Sequence, residues 1–182
     1  MTKLLIASDL HGSALFCRQL LERIAEEKPD RILLLGDLLY HGPRNALPPE
    51  YDCPQVYGML NGLKDQVLAV RGNCDCEVDQ MVLEFPVLSD YALVEVDGVS
   101  IYATHGHLWN EAHLPPMASG TILLHGHTHV PACTDHGSYL YLNPGSVSIP
   151  KENSRHSYMT LEGGLFQWKD LGGTVYQTYT VR

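Results

Sequence analysis

Five short apolar runs in this chain each lead into a glycine-flanked cluster of Asp, Asn or His. Lys3–Ser8 runs into Asp9-Leu-His11 and Arg31–Leu35 into Gly36-Asp37. Gln66–Val70 leads through Arg71 to Gly72-Asn73. Val99–Ala103 leads to His105-Gly106, and Thr121–Leu124 to Gly126-His127-Thr-His129. Short apolar runs bounded by turn residues read as strands buried on both faces. Ligands of open α/β sheets bind in the crevice outside the strand C-termini. The five clusters are therefore expected to converge at one edge of one sheet. Asp9 and His11 are two apart, as are His127 and His129, so in an extended chain each pair would face the same way.

Between the first two runs, Ala14–Glu27 has helical spacing, with Leu15, Leu20, Leu21 and Ile24 on one side, Ser13 as N-cap and Pro29 as a stop. Strand, helix and strand within about 35 residues is the βαβ pattern of a parallel sheet. Leu38–Pro54 carries four prolines and reads as a surface loop. Val56–Leu63 and the stretch Asp75–Leu83 read as helices. The second half is expected to be mostly antiparallel β. Its runs are Tyr91–Val96, Val99–Ala103, Thr121–Leu124, Tyr139–Leu142, Tyr158–Leu161, Gly164–Lys169 and Thr174–Val181, and turn residues separate them. The Asp97-Gly98 pair marks a hairpin. The length of 182 residues suits one domain, residues 1–182, of α/β (α+β) class with two packed sheets and helices outside.

Composition narrows the function. Lys plus Arg is 12 and Asp plus Glu is 21, a net charge of −9, which argues against a general nucleic-acid binder. Five cysteines, an interrupted N-terminal apolar run and no apolar stretch of 18 residues lead to an expectation of free thiols, a cytoplasmic location and no membrane partner. Ten histidines are many for such a chain. Four of them, with two Asp and one Asn, make up the five clusters. Mixed nitrogen and oxygen donors suit borderline first-row divalent metals, and seven ligands exceed one ion's need but fit two.

The ordered series Asp9-x-His11, Gly36-Asp37, Gly72-Asn73, His105-Gly106 and Gly126-His127-x-His129 resembles the calcineurin-like metallophosphoesterases. It is most similar to the small YfcE-type bacterial phosphodiesterases. The loop Gly36-Asp-Leu-Leu-Tyr-His-Gly-Pro-Arg-Asn45, the Gly72-Asn-Cys-Asp75 segment and Asn143-Pro-Gly-Ser146 add to that likeness. The resemblance implies a four-layer αββα sandwich of two mixed β-sheets flanked by helices. It implies a dinuclear centre in which Asp9, His11 and His129 hold one metal, Asn73, His105 and His127 hold the other, and Asp37 bridges them. It implies phosphodiester hydrolysis through a bridging hydroxide, with two divalent ions, Mn first among Mn, Fe, Zn, Ni and Co. Many relatives have His where this chain has Cys74, so Cys74 occupies a catalytic position with a weaker proton donor. His41, Arg44 and Asn45 are candidate substrate contacts. His107 is placed near the cleft, His125 in the core, and His113, His136 and His156 have no assigned chemistry. The expected partners are a small phosphodiester and a second copy of the chain. The alternative readings are a phosphomonoesterase or phosphatase, and a non-catalytic interaction scaffold on the same fold.

Overall fold

The fold is described from a computed structural model over residues 1–181. In chain order the elements are β1 (Leu4–Ala7), α1 (Ala14–Glu27), β2 (Arg31–Leu34), α2 (Cys53–Asn61), β3 (Val67–Ala69), α3 (Glu77–Gln80), β4 (Tyr91–Val96) and β5 (Val99–Thr104). They continue with β6 (Ile122–Leu124), β7 (Ala132–Asp135), β8 (Leu140–Asn143), β9 (Ser157–Glu162), β10 (Leu165–Asp170) and β11 (Val175–Thr180). Two mixed sheets result. One has the order β11-β10-β9-β1-β2-β3 and the other β4-β5-β6-β8-β7.

Side-chain alternation on β1 explains the layering. Leu5 and Ala7 point outward, onto Ala14, Cys17, Leu20 and Ile24 of α1. Leu4 and Ile6 point inward, where with Leu33 and Leu35 they meet Ile101, Ala103, Ile122, Leu124 and Leu142 of the second sheet. The first sheet is thus covered on both faces. On the second sheet's outer face, Tyr102, Leu123, Tyr139 and Tyr141 pack against Trp109 and Met117, from the irregular segment 105–121. That layer contains no helix, because Pro115 and Pro116 interrupt the segment.

Ser13 caps α1 through its Oγ, which accepts from Phe16 N at 3.4 Å. The helix α2 begins earlier than Val56. Asp52 caps it, and Pro54 sits in its first turn, where a missing N–H costs nothing. The Asp97-Gly98 turn closes the β4–β5 hairpin with φ of 48° and 85°.

Most strand pairs of the second half are antiparallel, as expected, with two features beyond that reading. The strands β5, β6 and β8 are parallel, so the second sheet has a parallel centre with antiparallel edges. The strands β9–β11 leave that half and complete the first sheet, with β9 antiparallel to β1. The strand β7 was not expected, because Ala132–Asp135 is polar and half-exposed; pairing with β8 makes it a strand.

Candidate metal centre

The five clusters do not share one sheet. Asp9 and His11, Asp37 and Asn73 follow β1, β2 and β3 of the first sheet. His105 follows β5, and His127 and His129 follow β6, of the second. They converge because both sheets present strand C-termini at one edge of the sandwich. Nor are the i,i+2 pairs extended. Asp9, His11, Asp37, His127 and His129 all have φ between 46° and 65°, the left-handed region. Each non-glycine residue held there costs about 1 kcal/mol, and such strain concentrates at functional sites.

Three histidines are pinned from behind. His11 Nδ1 donates to the Tyr40 carbonyl at 2.8 Å, His129 Nδ1 to the Ile149 carbonyl at 2.8 Å, and His105 Nδ1 to the Leu35 carbonyl at 2.6 Å. A carbonyl only accepts, so Nδ1 carries the proton and each Nε2 faces inward. This is the backing that metal-binding histidines use. His11 Nε2 lies 3.3 Å from His129 Nε2, and His129 Nε2 lies 3.3 Å from Asp9 Oδ1. His105 Nε2 lies 3.1 Å from Asn73 Oδ1, 3.2 Å from His127 Nδ1 and 3.3 Å from Asp37 Oδ2. Asp37 Oδ2 is also 3.6 Å from His11 Nε2, which places it between the two groups. Donors on one ion, with bonds of about 2.1 Å, stand about 3.0–3.4 Å apart.

The donor set fits a metal on a second ground. Asp9 is fully buried, and its Oδ1 has no hydrogen-bond partner among the described residues. A buried carboxylate oxygen without a partner costs several kcal/mol unless a cation faces it. Asp9 with His11 and His129, and Asp9 with Asp37 and His105, each gather their donor atoms within 4.8 Å of one another.

Titration follows from the same crowding. Burial opposes the ionisation of Asp9, but the His11 and His129 rings, with Nε2 at 3.6 and 3.3 Å from Oδ1, hold its carboxyl well below the usual range. Burial likewise opposes ionisation of Asp37, and His105 outweighs it. Burial would lower His105, but the Asp37 carboxylate raises it to about 9. Burial and the neighbouring His105 lower His127 to about 4. Cys74 donates its backbone N–H to Asp37 Oδ1 at 2.8 Å, and burial and the Asp37 charge push its thiol up to about 12.

A cavity of about 420 Å³ opens onto Asp37, Asn73, His127 and His129. Arg44, Asn45 and Cys74 line it. His41 does not line it. Its ring stands edge-on between Tyr40 and Tyr51, at 4.8 and 5.2 Å. Asn45 spends Nδ2 on the His41 carbonyl at 2.9 Å. His107 is half-buried beside His105, and His125 is buried against Tyr141.

Sequence reasoning passed over several residues here. Lys151 and Thr128 also line the cavity. Asp75 is buried and accepts from three backbone N–H groups, those of Asp37, Leu38 and Gly72, at 2.7–2.9 Å. Ser146 and Ser148 both donate to the Asp9 carbonyl, at 2.9 and 3.0 Å. The Asn143-Pro-Gly-Ser146 motif marks the floor of the site; nothing in the spacing of Asp75 does so.

A family model described as the calcineurin-like phosphoesterase superfamily domain matches residues 2–163. The chain is 44% identical over 162 residues to Phosphodiesterase YfcE of Escherichia coli, covering 89% of this chain and 88% of that protein. The solved structure of YfcE, a phosphoesterase from E. coli, superposes with a TM-score of 0.95 at 39% identity, over 99% of this chain and 100% of that one. Probable metallophosphoesterase YsnB of Bacillus subtilis is 26% identical over 87% of this chain and 83% of its own length. Zinc-complexed Vps29 of Entamoeba histolytica shares the fold, with a TM-score of 0.62 at 20% identity over 99% of both chains.

Proposed function

The chain belongs to the calcineurin-like phosphoesterase superfamily and is a metal-dependent phosphoesterase, and on that premise we propose that it hydrolyses phosphodiesters at a dinuclear centre. Residues 1–182 act as one domain in this reading. Asp9, His11 and His129 would hold one ion and Asn73, His105 and His127 the other, with Asp37, whose Oδ2 lies between the two groups, shared by both. The observation that carries the reading is the inward-facing donor set around the partnerless Asp9 Oδ1. Two divalent ions bound there, Mn first among the candidates, would supply a hydroxide near neutral pH and neutralise phosphoryl charge.

The chain's own residues do the rest. The carbonyls of Tyr40, Leu35 and Ile149 hold three imidazoles as neutral donors aimed inward. Arg44 and Lys151 on the cleft walls bind the non-bridging phosphate oxygens and orient the ester. Cys74 keeps its proton and offers the leaving oxygen only a weak donor. General acid assistance is worth roughly 10²–10⁴-fold. The reading therefore favours diesters with good leaving groups; hydrolysis of diesters is in keeping with the name carried by the E. coli relative. No helix of the described residues is long and apolar enough to cross a membrane. The five cysteines are unpaired, which supports a reducing, cytoplasmic setting.

Metal content and hydrolysis of bis(p-nitrophenyl) phosphate, measured for the protein reconstituted with Mn, Zn, Co, Ni or Mg, test the reading. Two ions per chain and diester turnover are expected, with both lost in Asp37→Ala. Faster turnover of monoesters than diesters would favour the phosphatase alternative. Bound metal without turnover of any ester would favour the scaffold.

A further inference from the structure

A second depression, of about 350 Å³, lies directly beside the candidate centre. Cys74 lines both cavities. Leu39, Tyr40, Tyr51, Tyr57, Val78 and Val82 form the rest of its apolar wall. Two of its polar side chains are already engaged. Asp79 accepts from Cys76 N at 2.8 Å, and the Cys53 thiol donates to the Leu39 carbonyl at 3.2 Å. What faces outward is aromatic and aliphatic surface, with Tyr40 42% and Val78 66% exposed. A soluble chain gains nothing from exposing such a concavity unless something apolar enters it.

Its attachment to the centre is covalent and close. The same Tyr40 that walls the groove holds His11 Nδ1 through its carbonyl at 2.8 Å, and Tyr40 lies three residues beyond Asp37. Tyr40, His41 and Tyr51 stack edge-on in series, so the wall is built of rings that brace one another. On the other side, Cys74 donates its N–H to Asp37. A phosphate held at the centre therefore has an apolar trough within one side chain's reach.

Resting on the phosphodiesterase reading, we propose that this groove is the subsite for one esterified alcohol of the substrate, and that it selects an alcohol bearing a flat ring over a short alkyl one. The ring's source is an aryl group or a nucleobase; both offer the planar apolar face that the tyrosines fit.

Calorimetric titration of the manganese-loaded protein with methylphosphonate, phenylphosphonate and thymidine 5′-monophosphate tests this. Phenylphosphonate is expected to bind about tenfold more tightly than methylphosphonate, the discrimination a modest apolar pocket achieves. In Val78→Asp, and separately in Tyr40→Ser, the ratio of the two Kd values is expected to fall towards one. Tighter binding of the nucleotide than of phenylphosphonate would assign the ring to a nucleobase, and the reverse order to an aryl group. Equal Kd values in the unaltered protein, or a ratio unmoved by both variants, would overturn the groove. The two readings fail separately. Diester turnover without ring preference removes only the groove, whereas ring preference without turnover of any diester removes only the phosphodiesterase assignment.

Discussion

His105 shows how strongly one position can be set by its surroundings. Unassisted burial would keep it neutral, yet the Asp37 carboxylate at 3.3 Å raises it to about 9. At pH 7 it is therefore protonated until a metal displaces the proton. Metal binding should release protons, and affinity should rise with pH up to about 9, by up to about tenfold per unit for one displaced proton. Titration calorimetry in buffers of different ionisation enthalpy checks this; affinity independent of pH between 6 and 8.5 would refute it. Cys74 poses a second question at this scale. Its thiol is pushed up to about 12, so it holds its proton but donates weakly. Cys74→His should raise kcat on unactivated alkyl diesters by about tenfold or more, and change aryl diesters far less. Equal gains on both ester classes, with metal content unchanged, would remove Cys74 from the leaving-group side.

At the scale of elements, the loops after β2 and β3 matter most. A Cβ on Gly72 would overlap the Asp37 carboxyl and backbone N, and one on Gly36 would overlap Gly72 itself. Asp75 ties both loops together by accepting from Asp37, Leu38 and Gly72. Gly72→Ala must therefore displace Asp37. A loss of at least about 1–3 kcal/mol of stability is expected, with metal bound per chain falling below two. Metal analysis and thermal melts check both effects, and normal loading would show that the Asp37 position is more forgiving than its packing. The element reading from sequence succeeded where local signals were strong, as at Ser13 and Asp97-Gly98. It failed at β7, which has no apolar period, and at the start of α2, where Pro54 looked like a loop residue but serves the first turn.

At the scale of the whole molecule, Glu27 joins the ends of the chain. At the end of α1 it accepts from Lys3 at 2.5 Å, Lys169 at 2.6 Å and Tyr158 at 3.0 Å, thereby linking the N-terminus to β9 and β10. Burial opposes its ionisation, but Lys169, Lys3 and Tyr158 hold it at about 2. The folded value lies below the unfolded one of about 4.3. Its contribution is thus fully present above about pH 4.3 and is lost as pH falls towards 2. Glu27→Gln should cost about 2 kcal/mol at pH 7, and the difference from the unaltered protein should shrink between pH 4.5 and 2.5. Denaturant melts across that range check the sign; a difference that grows on acidification would contradict it.

Local sequence determined every strand but β7, the main helix and the residue types at the strand ends, because apolar runs, caps and turn residues act over a few neighbours. It also carried the family resemblance, since motif order survives without contacts. Only the tertiary structure decided that the seven donors come from two sheets, that five of them occupy left-handed backbone, and that Asp75, Ser146 and Ser148 hold them from behind. These features rest on contacts between residues as far as 139 positions apart. The three chain segments β9–β11 cross to the first sheet for the same reason: β1 needs a partner on its open edge, and no local pattern says which strand supplies it.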